Sequence, residues 1–268
     1  MNKTIGFIGS GNMGGAMIGG IIKAGLTAKE NIYVSDINEE SLARVRESYG
    51  VNTTTDNAQL AKVCDIIVLS VKPFLYPVVI NQIKAVVKED VIIVVIAAGQ
   101  SSEAVAQLFG REIKIVKTMP NTPALVGEGM AAIAPATNVT KEETAEITAI
   151  FNSFGKSEIV PEHLMDAVTA VSGSSPAYVY MMIEAMADAA VVEGMPRPQA
   201  YKFAAQAVLG SAQMVLETGK HPGELKDMVC SPGGTTIAAV AKLEETGFRS
   251  SIMQSMKACA DKSREMSK

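Results

Sequence analysis

An α/β protein is expected here: an N-terminal, doubly wound and mostly parallel β-sheet over residues 1–160, then an all-helical domain over residues 161–268. Three observations point to it. Short apolar runs alternate with helical patterns through the first 160 residues, as in chains of strand–helix–strand units. The cores of those runs, such as IIVLSV and VIIVVIAA, are apolar without alternation, which is the pattern of strands covered by helices on both faces. After Pro161 no β-rich run appears, and ten of the 15 methionines lie beyond residue 160.

Taken in order, strands are expected near Thr4–Ile8, Asn31–Ser35, Asp65–Ser70, Val91–Ile96, Ile113–Lys117, Met130–Ala134 and Lys156–Val160. Helices are expected around Asn12–Ala24, Asn38–Tyr49, Leu75–Val87, Ser101–Leu108 and Lys141–Ser153. Right-handed crossovers between successive strands give the parallel, doubly wound arrangement. Beyond residue 160, Pro176 and Gly194 bracket one helix, and Pro198 and Gly219 a second. A third is expected over Thr235–Glu245 and a last from Ser250 towards the C-terminus. Apart from Glu184 and Asp188, Tyr178–Val192 is apolar nearly all round. Such a helix threads a helical core or packs against another subunit. An intertwined homodimer, with Met and Ala filling the interface, is the reading preferred here.

Composition narrows the function classes. With 48% apolar and 19% charged residues, the 268-residue chain has ample material for a core and lacks the signature of disorder. Its net charge of −4 suits neither nucleic acid nor an anionic membrane as partner. The most apolar run, Val91–Ala98, is far shorter than the about 20 residues of a membrane-spanning helix. With Met1-Asn2-Lys3 running directly into the first strand, no signal peptide is expected. Cys64, Cys230 and Cys259 are scattered and form no CxxC, as expected of reduced thiols in a cytoplasmic protein. No His/Asp/Glu cluster has metal-ligand spacing.

The segment TIGFIGSGNMGGAM places Gly9-x-Gly11-x-x-Gly14 after a strand and at the start of a helix, the context that makes this spacing informative. Gly9 permits the tight turn, Gly11 admits a pyrophosphate close to the backbone, and Gly14 allows the helix to approach the strand. Ser10, Asn12 and Met13 complete a turn whose N–H groups face the negative charge. Asp36 ends the second strand, 22 residues beyond Gly14. It is either the acceptor for a ribose 2′-hydroxyl, which favours NADH over NADPH, or an ordinary turn or N-cap residue. Val71-Lys72-Pro73 and Ala97-Ala98-Gly99 follow the third and fourth expected strands, where walls of a cofactor crevice belong. Lys72 by itself also reads as a surface lysine.

The second informative cluster is Ser231-Pro232-Gly233-Gly234-Thr235-Thr236, which opens an apolar helical pattern. Its backbone N–H groups suit an anion such as a carboxylate, and the threonine hydroxyls suit either a ligand or helix capping.

The stretch HPGELKDMVCSPGGTTIAAVAKLE resembles the signature of the pyrroline-5-carboxylate reductases, as do VKTMPNTPALVGEGM, VSGSSPAYVY and IGFIGSGNMGGAM. These motifs span essentially the whole chain in the family's order. The resemblance implies an N-terminal Rossmann domain, a helical C-terminal dimerisation and substrate-binding domain, and homodimers often assembled into decamers. It also implies reduction of 1-pyrroline-5-carboxylate to L-proline, the last step of proline biosynthesis, with NADPH or NADH. Carried over, it sets the carboxylate of the imino acid against Ser231, Gly234, Thr235 and Thr236, with the Thr236 hydroxyl near the ring nitrogen as the catalytic contact. Cofactor contacts fall on Gly9 to Gly14, Asn57, Val71, Lys72 and Ala98, beside Ala97, and Pro120-Asn121-Thr122-Pro123 shapes the floor. Ser175 departs from the pattern SGSGPAY, which has glycine there, and leaves the backbone less free.

The inventory fits such chemistry. Only His163 and His221 exist, in no recognisable catalytic pair, and His221 before Pro222 reads as a solvated loop residue. A protonated imine accepts hydride without a strong acid, so catalysis rests on positioning with one polarising hydrogen bond. Two other readings stay open. A 3-hydroxyacid dehydrogenase also joins such a sheet to a helical domain, but its catalytic lysine and asparagine are missing from Ala177–Glu193. A non-catalytic nucleotide sensor leaves the SPGGTT turn without purpose.

Overall fold

The computed structural model describes residues 1–266. Strands β1 (Ile5–Ile8), β2 (Ile32–Ser35), β3 (Asn52–Thr54), β4 (Ile66–Leu69), β5 (Ile92–Val95), β6 (Lys114–Met119), β7 (Gly129–Pro135) and β8 (Gly155–Ile159) form one sheet. Their order is β3-β2-β1-β4-β5-β6-β7-β8. From β3 to β6 all pairs are parallel, with Ile5 opposite both Ile32 and Ile66; β7 then runs antiparallel to β6. The strand order reverses between β1 and β4, the point at which doubly wound sheets take a ligand.

Helices α1 (Asn12–Lys23), α2 (Glu39–Tyr49), α3 (Asn57–Val63), α4 (Tyr76–Ile83), α5 (Ser102–Phe109) and α6 (Lys141–Asn152) cover the two faces. The non-alternating strands are sorted by their period of two. Ile5, Phe7, Ile66, Val68, Ile92 and Val94 pack with α1, α2 and α6 residues such as Met17, Leu42 and Ile147. Ile8, Ile67, Leu69, Ile93 and Val95 pack instead with Leu60, Tyr76 and Val105 from α3, α4 and α5.

Two elements of this half carry little sequence signal. β3 is a polar three-residue edge strand, and α3 is seven residues long, with Asp56 accepting from the N–H groups of Ala58 and Gln59. The chain divides by contacts into one unit of Met1–Ser174 together with the chain from Ala258, and another of Ser175–Lys257. This differs from a boundary at 160/161, and residues 267 and 268 of the expected second domain lie outside the described residues. Met165, on the short α7 (Met165–Val168), is buried with Met119, Ala132 and Ala134, so the chain leaves the sheet unit only after residue 174.

The second unit is helical: α8 (Ser175–Val192), α9 (Arg197–Thr218), α10 (Pro222–Val229), α11 (Thr235–Glu245) and the beginning of α12 (Phe248–Met266). In α8 only Ala187 is buried, while Tyr180, Met181 and Val192 are exposed, Val192 at 84%. Phe203 and Leu216 of α9 are exposed as well. Among the described residues, no helix is long and apolar enough to cross a membrane.

Candidate active site

The turn from β1 into α1 is built from both ends. Gly9 adopts φ +104, and a Cβ there would lie 2.6 Å from the Ser70 carbonyl oxygen. Ser70 Oγ in turn donates to the Gly9 carbonyl at 2.6 Å, which fastens the end of β4 to the turn. A Cβ on Gly14 would lie 2.6 Å from the Gly9 carbonyl oxygen, whereas one on Gly11 would meet nothing within 4 Å. Gly11 caps α1 without a side-chain hydrogen bond, so the first amides of the helix stay available to an anion.

Outside the carboxyl ends of β1, β2, β4 and β5 lies a cavity of about 930 Å³. Gly9, Gly11, Asn12, Met13, Asp36, Asn57, Val71, Lys72, Ala97 and Ala98 all line it, as the sequence reading expects of cofactor contacts. Pro120 and Thr122 of the PNTP segment line it too. Sequence reasoning missed Ile37, Leu75, Val78 and Gln82; the last three lie on or beside α4, whose apolar residues read only as core. Ser35, also missed, donates through Oγ to Asn57 Oδ1 at 2.7 Å, and Asn57 Nδ2 donates to Gln82 Oε1 at 2.7 Å. A cavity of this size, open at Gly11 and ending on a helix N-terminus, fits a dinucleotide.

Two expected contacts are placed differently. Gly14 is buried behind the turn, where its work is packing. Ser10 is only 1% exposed and does not line the cavity. Its N–H and its Oγ both donate to Asp36 Oδ2, each at 2.7 Å, and Asp36 Oδ1 accepts from the Asn38 N–H at 3.0 Å. Burial pushes the Asp36 carboxyl up, but the hydrogen bonds from Asn38, Ser10 and Ile37 outweigh it and hold the group below its ordinary range. Asp36 is not the helix cap: Asn38 caps α2, its Oδ1 accepting from the Ser41 N–H at 3.0 Å.

In the helical unit, Ser231–Gly234 forms a tight turn into α11, with Gly233 at φ +70. The Gly234 N–H donates to the Ser231 carbonyl at 3.0 Å, so it is not open to a carboxylate as the sequence reading has it. The amides that follow, at Thr235 and Thr236, open the helix without a side-chain cap. Neither threonine hydroxyl is hydrogen-bonded within the described residues, so both are open to a ligand. His221 is an exposed loop residue, as expected, and it also caps α10, its Nδ1 accepting from the Gly223 N–H at 3.0 Å. Ser174 and Ser175 need no glycine-like backbone: among the described residues none other than glycine has positive φ, and Ser175 begins α8 in regular helix.

Comparison with known proteins covers the whole chain. The family described as "Pyrroline-5-carboxylate reductase dimerisation" matches residues 162–266, and "NADP oxidoreductase coenzyme F420-dependent" matches residues 4–99. A curated pyrroline-5-carboxylate reductase of Escherichia coli (strain K12) is 50% identical over 268 residues, all of both chains. One of Methanosarcina acetivorans is 44% identical over 267 residues, covering 100% of this chain and 99% of its own. The crystal structure of Plasmodium falciparum pyrroline carboxylate reductase with NADP bound superposes with a TM-score of 0.91 at 35% identity, covering 100% of this chain and 99% of that one.

Proposed function

The chain belongs to the pyrroline-5-carboxylate reductase family, and on that footing we propose that it reduces 1-pyrroline-5-carboxylate to L-proline with NADPH or NADH, closing proline biosynthesis. The observation that carries this reading is identity to a curated reductase at half of all positions over the full length of both chains. The dinucleotide is held by the β1–α1 turn, with Asn57, Val71, Lys72, Ala97 and Ala98 as walls, and supplies the hydride when bound.

The chain's own residues do the rest. The substrate carboxylate takes hydrogen bonds from the Thr235 and Thr236 amides at the start of α11, where the helix dipole favours negative charge. The Thr236 hydroxyl oxygen then accepts a hydrogen bond from the protonated ring nitrogen. On reduction the imine carbon gains a hydride, the C=N π bond breaks, and the nitrogen, already protonated as the iminium, becomes the ring amine. No strong acid is needed, and His221 is spent on its helix cap. Binding the carboxylate at one end and the nitrogen at the other fixes the imine carbon, so catalysis is mainly positional.

The protein is a homo-oligomer. We take its unit to be a homodimer formed through the helical half, assembling further towards a decamer, and its place to be the cytoplasm. The assay is the loss of reduced-cofactor absorbance on adding 1-pyrroline-5-carboxylate, with NADH and NADPH in parallel. Saturable oxidation of either is expected. No oxidation of either, with cofactor binding intact, would move the substrate to another imine or keto acid.

A further inference from the structure

We propose that Asp36 makes this chain select NADH over NADPH, and that buried Ser10 is the positioning residue that holds Asp36 to that task. The proposal rests on the reading of the cavity as a nicotinamide dinucleotide site and deepens it, since that reading leaves the 2′-position open.

Asp36 lines the cavity at the end of β2, where the adenosine ribose of a dinucleotide sits in a doubly wound sheet. Three donors fix its carboxylate: the Ser10 N–H and hydroxyl on one oxygen and the Asn38 N–H on the other. A carboxylate held this way cannot turn aside from a 2′-phosphate, and its remaining lone pairs accept from a ribose hydroxyl. Ser10 itself is shut off from the cavity. With both donors committed to Asp36, it acts on the cofactor only through that residue.

The cations are placed to match. Among the described residues, Asp36 and Lys72 are the only charged ones lining the cavity, and Lys72 follows β4 rather than β2. Arg46 on α2 gives its Nε and Nη2 to the Thr53 hydroxyl at 2.9 and 2.6 Å. Arg44 lines a separate cavity of about 170 Å³ with Ser10, Gly11 and Tyr49. Among the described residues, no guanidinium lines the large cavity beside Asp36, where an arginine would accommodate a 2′-phosphate.

The test is titration of the full-length protein with NADH and with NADPH in the absence of substrate, alongside turnover with 1-pyrroline-5-carboxylate. NADH is expected to bind at least about tenfold tighter, the equivalent of one charged contact. Asp36→Ser should bring the ratio of dissociation constants to about one or below, chiefly by tightening NADPH. Ser10→Ala should narrow the ratio part of the way and Ser10→Thr should restore it, which a general loss of packing would not do. Equal or tighter binding of NADPH by the unaltered protein overturns the proposal, as does an unchanged ratio in Asp36→Ser. An unchanged ratio in Ser10→Ala removes Ser10 from it. Selective NADH binding without turnover of the imine upholds the proposal while the reductase reading fails; failure of both cofactors to bind overturns it.

Discussion

Thr236, the contact proposed for the ring nitrogen, would make the reaction depend on little side-chain chemistry. Its hydroxyl is not hydrogen-bonded within the described residues, so it is free to reach a ring nitrogen. Thr236→Ala should lower kcat by the equivalent of about 1–3 kcal/mol and leave the NADH dissociation constant unchanged. Unchanged turnover would take Thr236 out of the mechanism. The glycines of the β1–α1 turn separate stability from binding. Gly14→Ala forces a Cβ to 2.6 Å from the Gly9 carbonyl oxygen and should destabilise by about 1–3 kcal/mol, read as a lower Tm. Gly11→Ala meets no protein atom within 4 Å, so Tm should hold while dinucleotide binding falls. Asp36 predicts a pH response. Its folded-state carboxyl titrates below the ordinary value of 3.8, so its contribution is full above that value and is lost as pH falls through the depressed one. Thermal unfolding below about pH 4 should therefore erode the unaltered protein more than Asp36→Asn, and parallel curves would contradict this.

Helices that announce themselves in the sequence do so through caps and apolar stripes. Thr140 and Glu143 form a reciprocal capping box at the start of α6, and Glu143 also accepts from Lys114 Nζ on β6 at 2.7 Å. Thr140→Ala should cost about 1 kcal/mol in chemical denaturation, the usual worth of such a cap. Elements that escaped notice are short or polar. β3 offers Asn-Thr-Thr with no apolar face, and its place at the sheet edge comes from pairing with β2. α10 has eight residues and no buried one, so no periodic stripe marks it; its signal was Pro222 behind a capping His221. The expected strands, by contrast, all appear within a residue or two, most securely β1, β4 and β5, whose Ile and Val are covered on both faces.

For the molecule as a whole, the exposed apolar residues of the helical unit are the outstanding feature. Tyr180, Met181, Phe203 and Leu216 face solvent in a single chain. Leaving so many large apolar side chains in water is unfavourable, and a second copy removes the cost. Mass measurement in solution at micromolar concentration should give a dimer or a larger multiple, and a clean monomer would refute the assembly. The sheet, its phosphate turn and the two motif clusters were legible because each is local: a strand core, a glycine spacing and a helix start are read within about a dozen residues. The reach of the sheet unit to Ser174, the Gly234 N–H bonded to the Ser231 carbonyl and the pairing of Ser10 with Asp36 were not. Ser10 and Asp36 stand 26 positions apart, and only the parallel pairing of β1 with β2 brings one serine's two donors onto one carboxylate oxygen. Spacing along a chain specifies which residues begin an element; which donor is consumed and which stays open depends on neighbours that folding alone supplies.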